Sequence, residues 1–151
     1  MEFIKNKNIV VLDIETTGIK ANTDKIIELY MLKVYNNEVV DEYYSKFNPK
    51  IEIPLFISNL TGIYQWHVNS SPTIDQEIEN IKTFIGDSVV IGHNLKFDLS
   101  FLNYDLINNG FENIANENID TLKLSRALLR NKVKNHKLST CLLYTSPSPR
   151  D

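Results

Sequence analysis

The chain has one cysteine, Cys141, in 151 residues and no apolar run of the roughly 18–20 residues that a membrane span needs. A single cysteine cannot form an internal disulfide, which fits the reducing conditions of a cytoplasm. The first eight residues, MEFIKNKN, lack the long apolar segment of a secretory signal. We therefore expect one cytoplasmic domain with its own core and no membrane partner.

The sequence also lacks the positive charge of proteins that coat nucleic acid, because its net charge is −3. Residues 1–120 hold 18 acids against 9 lysines and arginines, whereas residues 121–140 hold six basic residues and no acid. This basic segment is either a solvated helix face and loop or a patch that contacts phosphate. Composition alone leaves both interpretations open.

The hydrophobic pattern predicts an α/β fold with the order β-β-β-α-α-β-α-β-α. Strand-like segments occur at residues 9–15, 26–35, 38–47 and 88–92, and from residue 119. Helical segments occur at residues 54–59, 73–85, 95–110 and 121–130. An antiparallel meander followed by β-α units predicts a mixed sheet with helices on its faces.

Local signals support several of these elements. Asn36 and Asn37 suit a tight hairpin, since asparagine tolerates positive φ. Thr73 followed by Gln76 is the pattern of a capping box. The apolar face of the helix over residues 95–110 is predicted from four leucines, Leu95, Leu99, Leu102 and Leu106.

The last eleven residues differ in composition from the rest of the chain. Residues 1–140 are rich in Asn, Ile, Lys and Tyr, whereas residues 141–151 contain no Asn, Ile or Lys. We expect one folded domain over residues 1–140, followed by a tail over residues 141–151 that is either foreign to the protein or a disordered native end.

Three carboxylates are candidates for a metal site. Asp13 and Glu15 share one face of the first strand, because side chains at i and i+2 point the same way. Two neighbouring carboxylates in an apolar run repel each other and lose hydration, and Mg²⁺ relieves both costs. Two acids on a strand are, however, often only solvated. Asp98 begins the helix after the fourth strand, and packing that helix beside the first strand would bring three carboxylates together.

Several segments in the same order resemble the DEDD exonucleases of the DEDDh, or DnaQ-like, type, the superfamily of polymerase proofreading domains. Residues 13–18 (DIETTG) resemble the first motif, and residues 92–102 (GHNLKFDLSFL) resemble the second. Residues 60–63 (LTGI) and 120–126 (DTLKLSR) resemble the stretches that follow each of them. The resemblance covers residues 7–140. It implies a ribonuclease H-like fold, with a mixed five-stranded sheet and flanking helices.

The resemblance also implies an activity and a set of site residues. Asp13, Glu15 and Asp98 would be catalytic and would bind two Mg²⁺ or Mn²⁺ ions. The substrate-binding residues would be Ile14, Thr16, Thr17, Thr61, Ile63, His93 and Asn94. The substrate would be a single-stranded DNA 3′ end, cleaved to nucleoside 5′-monophosphates in proofreading or repair. A DNA polymerase catalytic subunit is the implied protein partner.

One part of the family pattern is missing. The third motif supplies a general-base histidine with a metal-binding aspartate five residues later, and nothing acidic follows His136 before Asp151. Neither His136 nor Asp151 is assigned to those roles. We therefore expect a C-terminally truncated exonuclease that is weakly active or inactive by itself.

Alternatives remain open. The same chemistry could act on RNA, because no motif shows whether a 2′-hydroxyl is contacted. A phosphotransfer or integrase-type enzyme of this fold is disfavoured by the Thr-Thr-Gly after the acids, whereas a binding module without catalysis is favoured by the missing motif. His93 lies beside the substrate or is a buried structural residue. Tyr64 and Trp66 either stack on a terminal base or pack their helix.

Overall fold

The computed structural model describes the backbone of residues 4–145 and the side chains of residues 4–143. The strands are β1 (Ile9–Thr16), β2 (Ile26–Tyr35), β3 (Glu38–Lys46), β4 (Val89–Gly92) and β5 (Asn118–Asp120). The helices are α1 (Leu55–Thr61), α2 (Gln65–Val68), α3 (Ile74–Ile85), α4 (Leu95–Asn108), α5 (Thr121–Leu128) and α6 (Leu138–Thr145). The predicted order is confirmed, with α2 and α6 as additions.

The five strands form one mixed sheet in the order β3-β2-β1-β4-β5. β1 pairs antiparallel with β2, which pairs antiparallel with β3, whereas β4 runs parallel to both β1 and β5. This confirms the predicted meander joined to parallel strands. β1 is therefore central, and its alternating burial presents one face to a helical layer and the other to the candidate site.

The hairpin between β2 and β3 follows from its two turn residues. Asn36 and Asn37 have φ of 49° and 67°, the left-handed conformation that a two-residue hairpin of this kind needs. Asparagine adopts it at lower cost than most other residues. The register that results sets Glu28 opposite Lys46 and Tyr30 opposite Tyr44.

The main core lies between the sheet and helices α3 and α4. Val10, Leu12 and Ile14 of β1 contribute to it, together with the isoleucine face of α3. The predicted capping box is confirmed, because the Thr73 amide donates to Gln76 Oε1 at 3.0 Å and the Gln76 amide faces the Thr73 side chain. Burying this face is the main source of stability for α3.

The buried face of α4 differs in part from the predicted leucine face. Leu95, Leu102 and Leu106 are buried as predicted, but Leu99 is only half-buried and Phe101 is fully buried instead. The helix also buries two acids, Asp98 and Asp105. The centre of the buried face of α4 could not be predicted from apolar residues alone, because that face includes the two acids.

A second, smaller hydrophobic cluster joins α1 and α2 to the sheet. Its members are Ile27, Ile53, Ile57, Ile63 and Val68. Ile27 is the residue skipped by the irregularity in β2, since Glu15 pairs with Glu28 and Thr16 pairs with Ile26. The cluster therefore sits at the end of the sheet where β1 terminates.

The C-terminal part of the described chain is helical. α6 continues from Leu138 through Thr145, across the boundary at residue 140 that composition suggested. Residues 146–151 lie outside the described residues, so the predicted division into a domain and a foreign or disordered tail stays a prediction. Among the described helices, none has the length and apolar character required to traverse a bilayer.

Two neighbouring residues of α4 test how the core is assigned. Leu106 is fully buried and Ile107 is 56% exposed. We expect Leu106→Ala to lower the free energy of unfolding by about 2–5 kcal/mol, through lost burial and a cavity. Ile107→Ala, the matched control, should change it by less than about 0.5 kcal/mol. Urea unfolding with an unchanged m-value measures both, and equal losses would contradict the assignment.

Candidate active site

Asp13 and Glu15 lie on the open face of β1, as their spacing predicted. Ile14 between them is buried in the core, whereas Asp13 is exposed and Glu15 half-buried. Side chains alternate across a strand, so the apolar residues that hold β1 in the core also direct both carboxylates to the opposite face. The polar pair is thus positioned by the central strand of the sheet.

Asp98 is buried in the first turn of α4 and bonds to β1. Its Oδ1 accepts a hydrogen bond of 3.1 Å from the Ile14 amide. Parallel pairing of β1 with β4 stops at Val11, so beyond that point Asp98 supplies a partner for the β1 backbone. The turn before α4 is tight: a Cβ on Gly92 would lie 3.2 Å from the Leu12 carbonyl oxygen.

The three carboxylates are electrostatically coupled. Burial, then the charge of Asp13, raises the pKa of Asp98 to about 7, although hydrogen bonds from its own amide and that of Ile14 oppose the shift. Burial also raises the pKa of Glu15, and the charges of Asp13 and Glu28 add to it. Burial and Glu28 raise the pKa of Asp13 as well. Each acid therefore makes ionisation of its neighbour less favourable.

Glu28 is a fourth acid at this site that the sequence analysis missed. It lies directly opposite Glu15 in the β1–β2 pairing. The Tyr44 hydroxyl donates to Glu28 Oε1 at 2.6 Å, and Lys46 Nζ lies 3.2 Å from the same oxygen. The signal that could have found Glu28 is the register of the antiparallel strands. The β1–β2 pairing sets Glu28 opposite Glu15, and the β2–β3 hairpin sets it opposite Lys46.

His93 is held at both ring nitrogens. Nε2 lies 2.9 Å from the His136 carbonyl oxygen, which can only accept, so Nε2 carries a hydrogen. Nδ1 lies 3.0 Å from Thr121 Oγ1, which is itself 3.2 Å from the Gly92 carbonyl oxygen. The half-buried ring thus has a structural role, and its charge lowers the pKa of Asp13. The contact of His93 with substrate stays a prediction.

The start of α5 is fastened to the same corner. Asp120 Oδ1 accepts from the amides of Asn94 and Leu122, each at 2.9 Å, so that one carboxylate caps α5 and anchors the turn before α4. Asn94 adopts the left-handed conformation with φ of 65° and is exposed. The charge of Asp120 also raises the pKa of Asp98.

His136 belongs to a small polar group beside this corner. Its Nδ1 lies 2.8 Å from Ser125 Oγ, and Ser125 Oγ lies 2.9 Å from Cys141 Sγ. Arg126 and His136 line one open cleft together with His93. The basic segment therefore borders His93, and its predicted contact with phosphate stays a prediction.

Most of the predicted substrate-binding side chains are turned inward. Ile14 and Ile63 are buried in the two hydrophobic clusters. Thr16 and Thr17 are buried as well: Thr16 Oγ1 donates to the Gly18 carbonyl at 2.5 Å, and Thr17 Oγ1 accepts from the Lys25 amide at 2.9 Å. These two threonines shape the loop after β1. Their predicted contact with substrate stays a prediction.

Thr61 has a similar local role at the end of α1. Its Oγ1 donates to the Ile57 carbonyl at 2.9 Å and accepts from the Ile63 amide at 3.1 Å. Gly62 follows with φ of 77°, which ends the helix and turns the chain toward Ile63. The predicted contact of Thr61 with substrate is likewise untested.

The chemistry of the donors suits a hard divalent cation. Asp13, Glu15 and Asp98 offer carboxylate oxygens, which Mg²⁺ and Mn²⁺ prefer, and their mutual repulsion would fall on binding. Over residues 4–143, however, no three His, Cys, Asp or Glu side chains are grouped closely enough to hold one ion. The acids are neighbours that influence one another, and binding would require their side chains to converge.

Comparison with known proteins gives a family match over nearly the whole chain. The family model described as Exonuclease, RNase_T, matches residues 10–145. The PolC-type DNA polymerase III of Clostridium perfringens is 41% identical over 119 residues, which cover 79% of this chain and 8% of that protein. The PolC-type enzyme of Halalkalibacterium halodurans is 40% identical over 131 residues, covering 87% and 9%. The chain spans less than a tenth of these relatives.

Solved structures of exonuclease I share the fold. One superposes with a TM-score of 0.82 at 14% identity, covering 92% of this chain and 35% of that one. A complex of Escherichia coli exonuclease I with a dT13 oligonucleotide gives 0.79 at 15% identity, covering 91% and 35%. The likeness confirms the ribonuclease H-like fold.

The coupled acids predict an unusual dependence of stability on pH. The pKa of Asp98 is about 7 in the native state against 3.8 unfolded, so the native state binds an extra proton between those values. This contribution to stability is lost as pH rises through about 7. In EDTA, the free energy of unfolding should therefore fall as the pH rises from about 4 to about 7, and Asp98→Asn should flatten the fall.

Urea unfolding between pH 4 and pH 8 measures this effect. Asp105, whose pKa burial raises to about 6, contributes the lower part of the same fall, and Asp105→Asn should remove only that part. Asp41→Asn, on exposed β3, is the matched control and should leave the curve unchanged. Identical slopes for Asp98→Asn and the unaltered chain would mean that Asp98 is ionised at neutral pH.

Proposed function

This chain belongs to the exonuclease family whose model matches residues 10–145, and from that premise we propose that it is a metal-dependent 3′–5′ exonuclease acting on single-stranded DNA. The observation that carries the proposal is the 3.1 Å hydrogen bond from the Ile14 amide to Asp98 Oδ1, which fixes Asp98 against the strand that bears Asp13 and Glu15. Neighbouring carboxylates that repel one another, one of them buried, are costly to a fold, and their cost is offset when they bind cations.

The proposed roles follow from where each residue lies. Asp13, Glu15 and Asp98 would hold two Mg²⁺ or Mn²⁺ ions. When bound, such ions supply positive charge at the scissile phosphodiester and activate water for in-line attack. His93 adds charge beside Asp13, and Thr16 and Thr17 keep the loop after β1 in shape beside the terminal nucleotide. Asn94, which is exposed, presents its side-chain amide at the turn before α4.

The biological setting is proposed from the relatives. PolC-type DNA polymerase III enzymes are far longer than this chain, which matches 8–9% of their length. We infer that the domain removes 3′-terminal nucleotides in proofreading or repair, together with a DNA polymerase catalytic subunit or as part of one. RNA is the alternative substrate, and the same site would serve it.

A second candidate function is nucleic-acid binding without catalysis. It is favoured by one observation, that the described acids are not grouped to hold an ion. In that case the fold, the basic segment and the cleft would bind a strand, and the carboxylates would remain coupled but unable to converge on metal. The two candidates differ in their response to divalent ions, which can be measured without turnover.

The first test is metal binding at the three acids. Mn²⁺ or Mg²⁺ should raise the melting temperature of the chain, because a ligand at 100 times its Kd stabilises the native state by about 2.7 kcal/mol. Asp13→Asn, Glu15→Gln and Asp98→Asn should each abolish or reduce the shift. Asp105→Asn is the matched control, a buried acid on the same helix outside the cluster, and should keep it.

Cleavage gives the second readout of the same variants. A 5′-labelled single strand should shorten from its 3′ end in Mn²⁺ and not in EDTA, with nucleoside monophosphates as products. The cleavage should be weak, because nothing acidic follows His136 before Asp151. The three acid variants should lose this activity and Asp105→Asn should not. A melting shift with little or no cleavage would fit metal-binding acids in a chain without the third motif, the absence of both would favour the binding module, and cleavage that persists in EDTA would refute the metal mechanism.

The basic segment gives a further prediction. Arg126 borders the cleft of His93, and Lys123 lies on the first turn of α5 near Lys96. Lys123→Glu with Arg126→Glu should weaken binding of a dT15 strand and flatten its salt dependence, because fewer counterions are released. Lys5→Glu, ahead of β1 at the far end of the strand from Asp13, is the control. Unchanged affinity at low salt would make the segment a solvated face.

A further inference from the structure

Trp66 is the only tryptophan of the chain, and it is 71% exposed. The sequence alone is compatible with two roles for Trp66, packing its helix or stacking on a base. Its neighbours Ile63 and Val68 enter the second hydrophobic cluster, whereas Trp66 belongs to neither cluster of the described residues. The packing role is therefore taken by other residues. An indole left in water on a short helix requires another explanation.

The exposed indole is held in place from one side. The Trp66 and His67 rings are 3.5 Å apart between centroids, at an interplanar angle of 38°. His67 is itself fixed, because its Nδ1 accepts from the Tyr64 amide at 2.9 Å. The Tyr64 hydroxyl donates to Asn59 Oδ1 at 3.1 Å. These contacts order the aromatic group before any ligand arrives, which reduces the entropy cost of stacking on it.

The aromatic group lies at the same end of the sheet as the acids. The cluster that carries α2 packs on Ile27 of β2. Ile27 sits between Ile26, which pairs with Thr16, and Glu28, which pairs with Glu15. Trp66 is therefore carried by a cluster that packs on Ile27. This residue lies beside the β2 residues that pair with Glu15 and Thr16, the last two residues of β1. The cluster therefore lies at the end of the sheet where β1 carries Glu15.

The cleft beside Trp66 suits an unpaired base more than a phosphate. Its volume is about 800 Å³, and Trp66, Tyr64 and Leu55 are among the residues that line it. Lys50 and Glu52 line it too, and their charges offset each other. Recognition here would come from apolar, planar contact rather than from net charge. Every base offers a planar face of that kind, whatever the sequence.

We propose that Trp66, stacked on His67, is a base-stacking subsite for single-stranded nucleic acid, which takes an unpaired base upstream of the 3′ end bound at the acids. The inference rests on the proposed function for the identity of the strand. It adds a contact that neither the acids nor the basic segment provides, and it would hold the strand between cleavage events. A protein partner on the same surface is the competing outcome of the test.

The test uses the single tryptophan as its own probe. A 5′-fluorescein dT15 strand is titrated against the full chain, and anisotropy reports binding while tryptophan emission, excited at 295 nm, reports stacking in a matched unlabelled titration. We expect emission to be quenched in step with binding. A strand of the same length with abasic sites in place of its bases should bind more weakly and leave the emission unquenched.

Variants separate stacking from mere exposure. Trp66→Ala should weaken binding of dT15 by about 5- to 150-fold, the range measured when a stacking residue is truncated, and Trp66→Phe should restore most of it. Phe56→Ala, which removes a 68% exposed aromatic of α1 that does not line the cleft, is the matched control and should change nothing. Because Trp66 is exposed, neither of its variants should change the unfolding midpoint.

The outcomes distinguish this inference from the proposed function. Binding without quenching, together with unchanged affinity in Trp66→Ala, overturns the subsite and leaves the exonuclease proposal standing; the surface would then be one for protein contact. Quenching that is equal in the chain and in Asp13→Asn, with neither a metal-dependent melting shift nor metal-dependent cleavage, supports the subsite and removes the catalytic proposal. No binding of any strand overturns both.

Discussion

The hydrogen bond from the Ile14 amide to Asp98 Oδ1 joins the central strand to α4, and the site depends on it. Pairing with β4 ends at Val11, so the later part of β1 lacks a strand on that side. Asp98 supplies an acceptor there, and in doing so it brings a carboxylate into the range of Asp13. The same hydrogen bond therefore satisfies the β1 backbone beyond the end of β4 and brings the acids together. It contributes both to the fold and to the candidate site.

That arrangement sets stability against function. A neutral Asp98 satisfies the fold at low cost, because burial and Asp13 both disfavour its charge. A carboxylate that binds metal must be ionised, so the proposed activity uses the less stable protonation state. Binding of a cation at the proposed site would resolve the conflict by removing the repulsion.

The sequence predicted the sheet and the first three acids because both depend on local signals. Alternation on β1 separates Asp13 and Glu15 from the core, and the two asparagines after β2 determine the hairpin. Glu28 escaped notice because its role arises from cross-strand register, which no single segment contains. α2 is one turn long, too short for periodicity, and α6 crosses a change of composition that had suggested an end to the domain. Three of the four leucines of α4 are buried as predicted and Leu99 is half-buried against the core, but Phe101 and two acids that the apolar pattern could not include complete the buried face.

The irregularity at the end of β2 links the two parts of the proposed binding surface. Without it, β2 would alternate strictly, and the side chains of residues 26 and 27 would point to opposite faces of the sheet. The irregularity allows both to be buried, each in a different hydrophobic cluster. With it, Ile26 stays in the main core opposite Thr16, while Ile27 becomes the base on which α1 and α2 pack. One extra residue thus builds a second hydrophobic cluster beside the last carboxylate of β1. The exposed indole of Trp66 is carried to that edge by the packing of Ile63 and Val68, and its position follows from the register of the strand that opposes the acids.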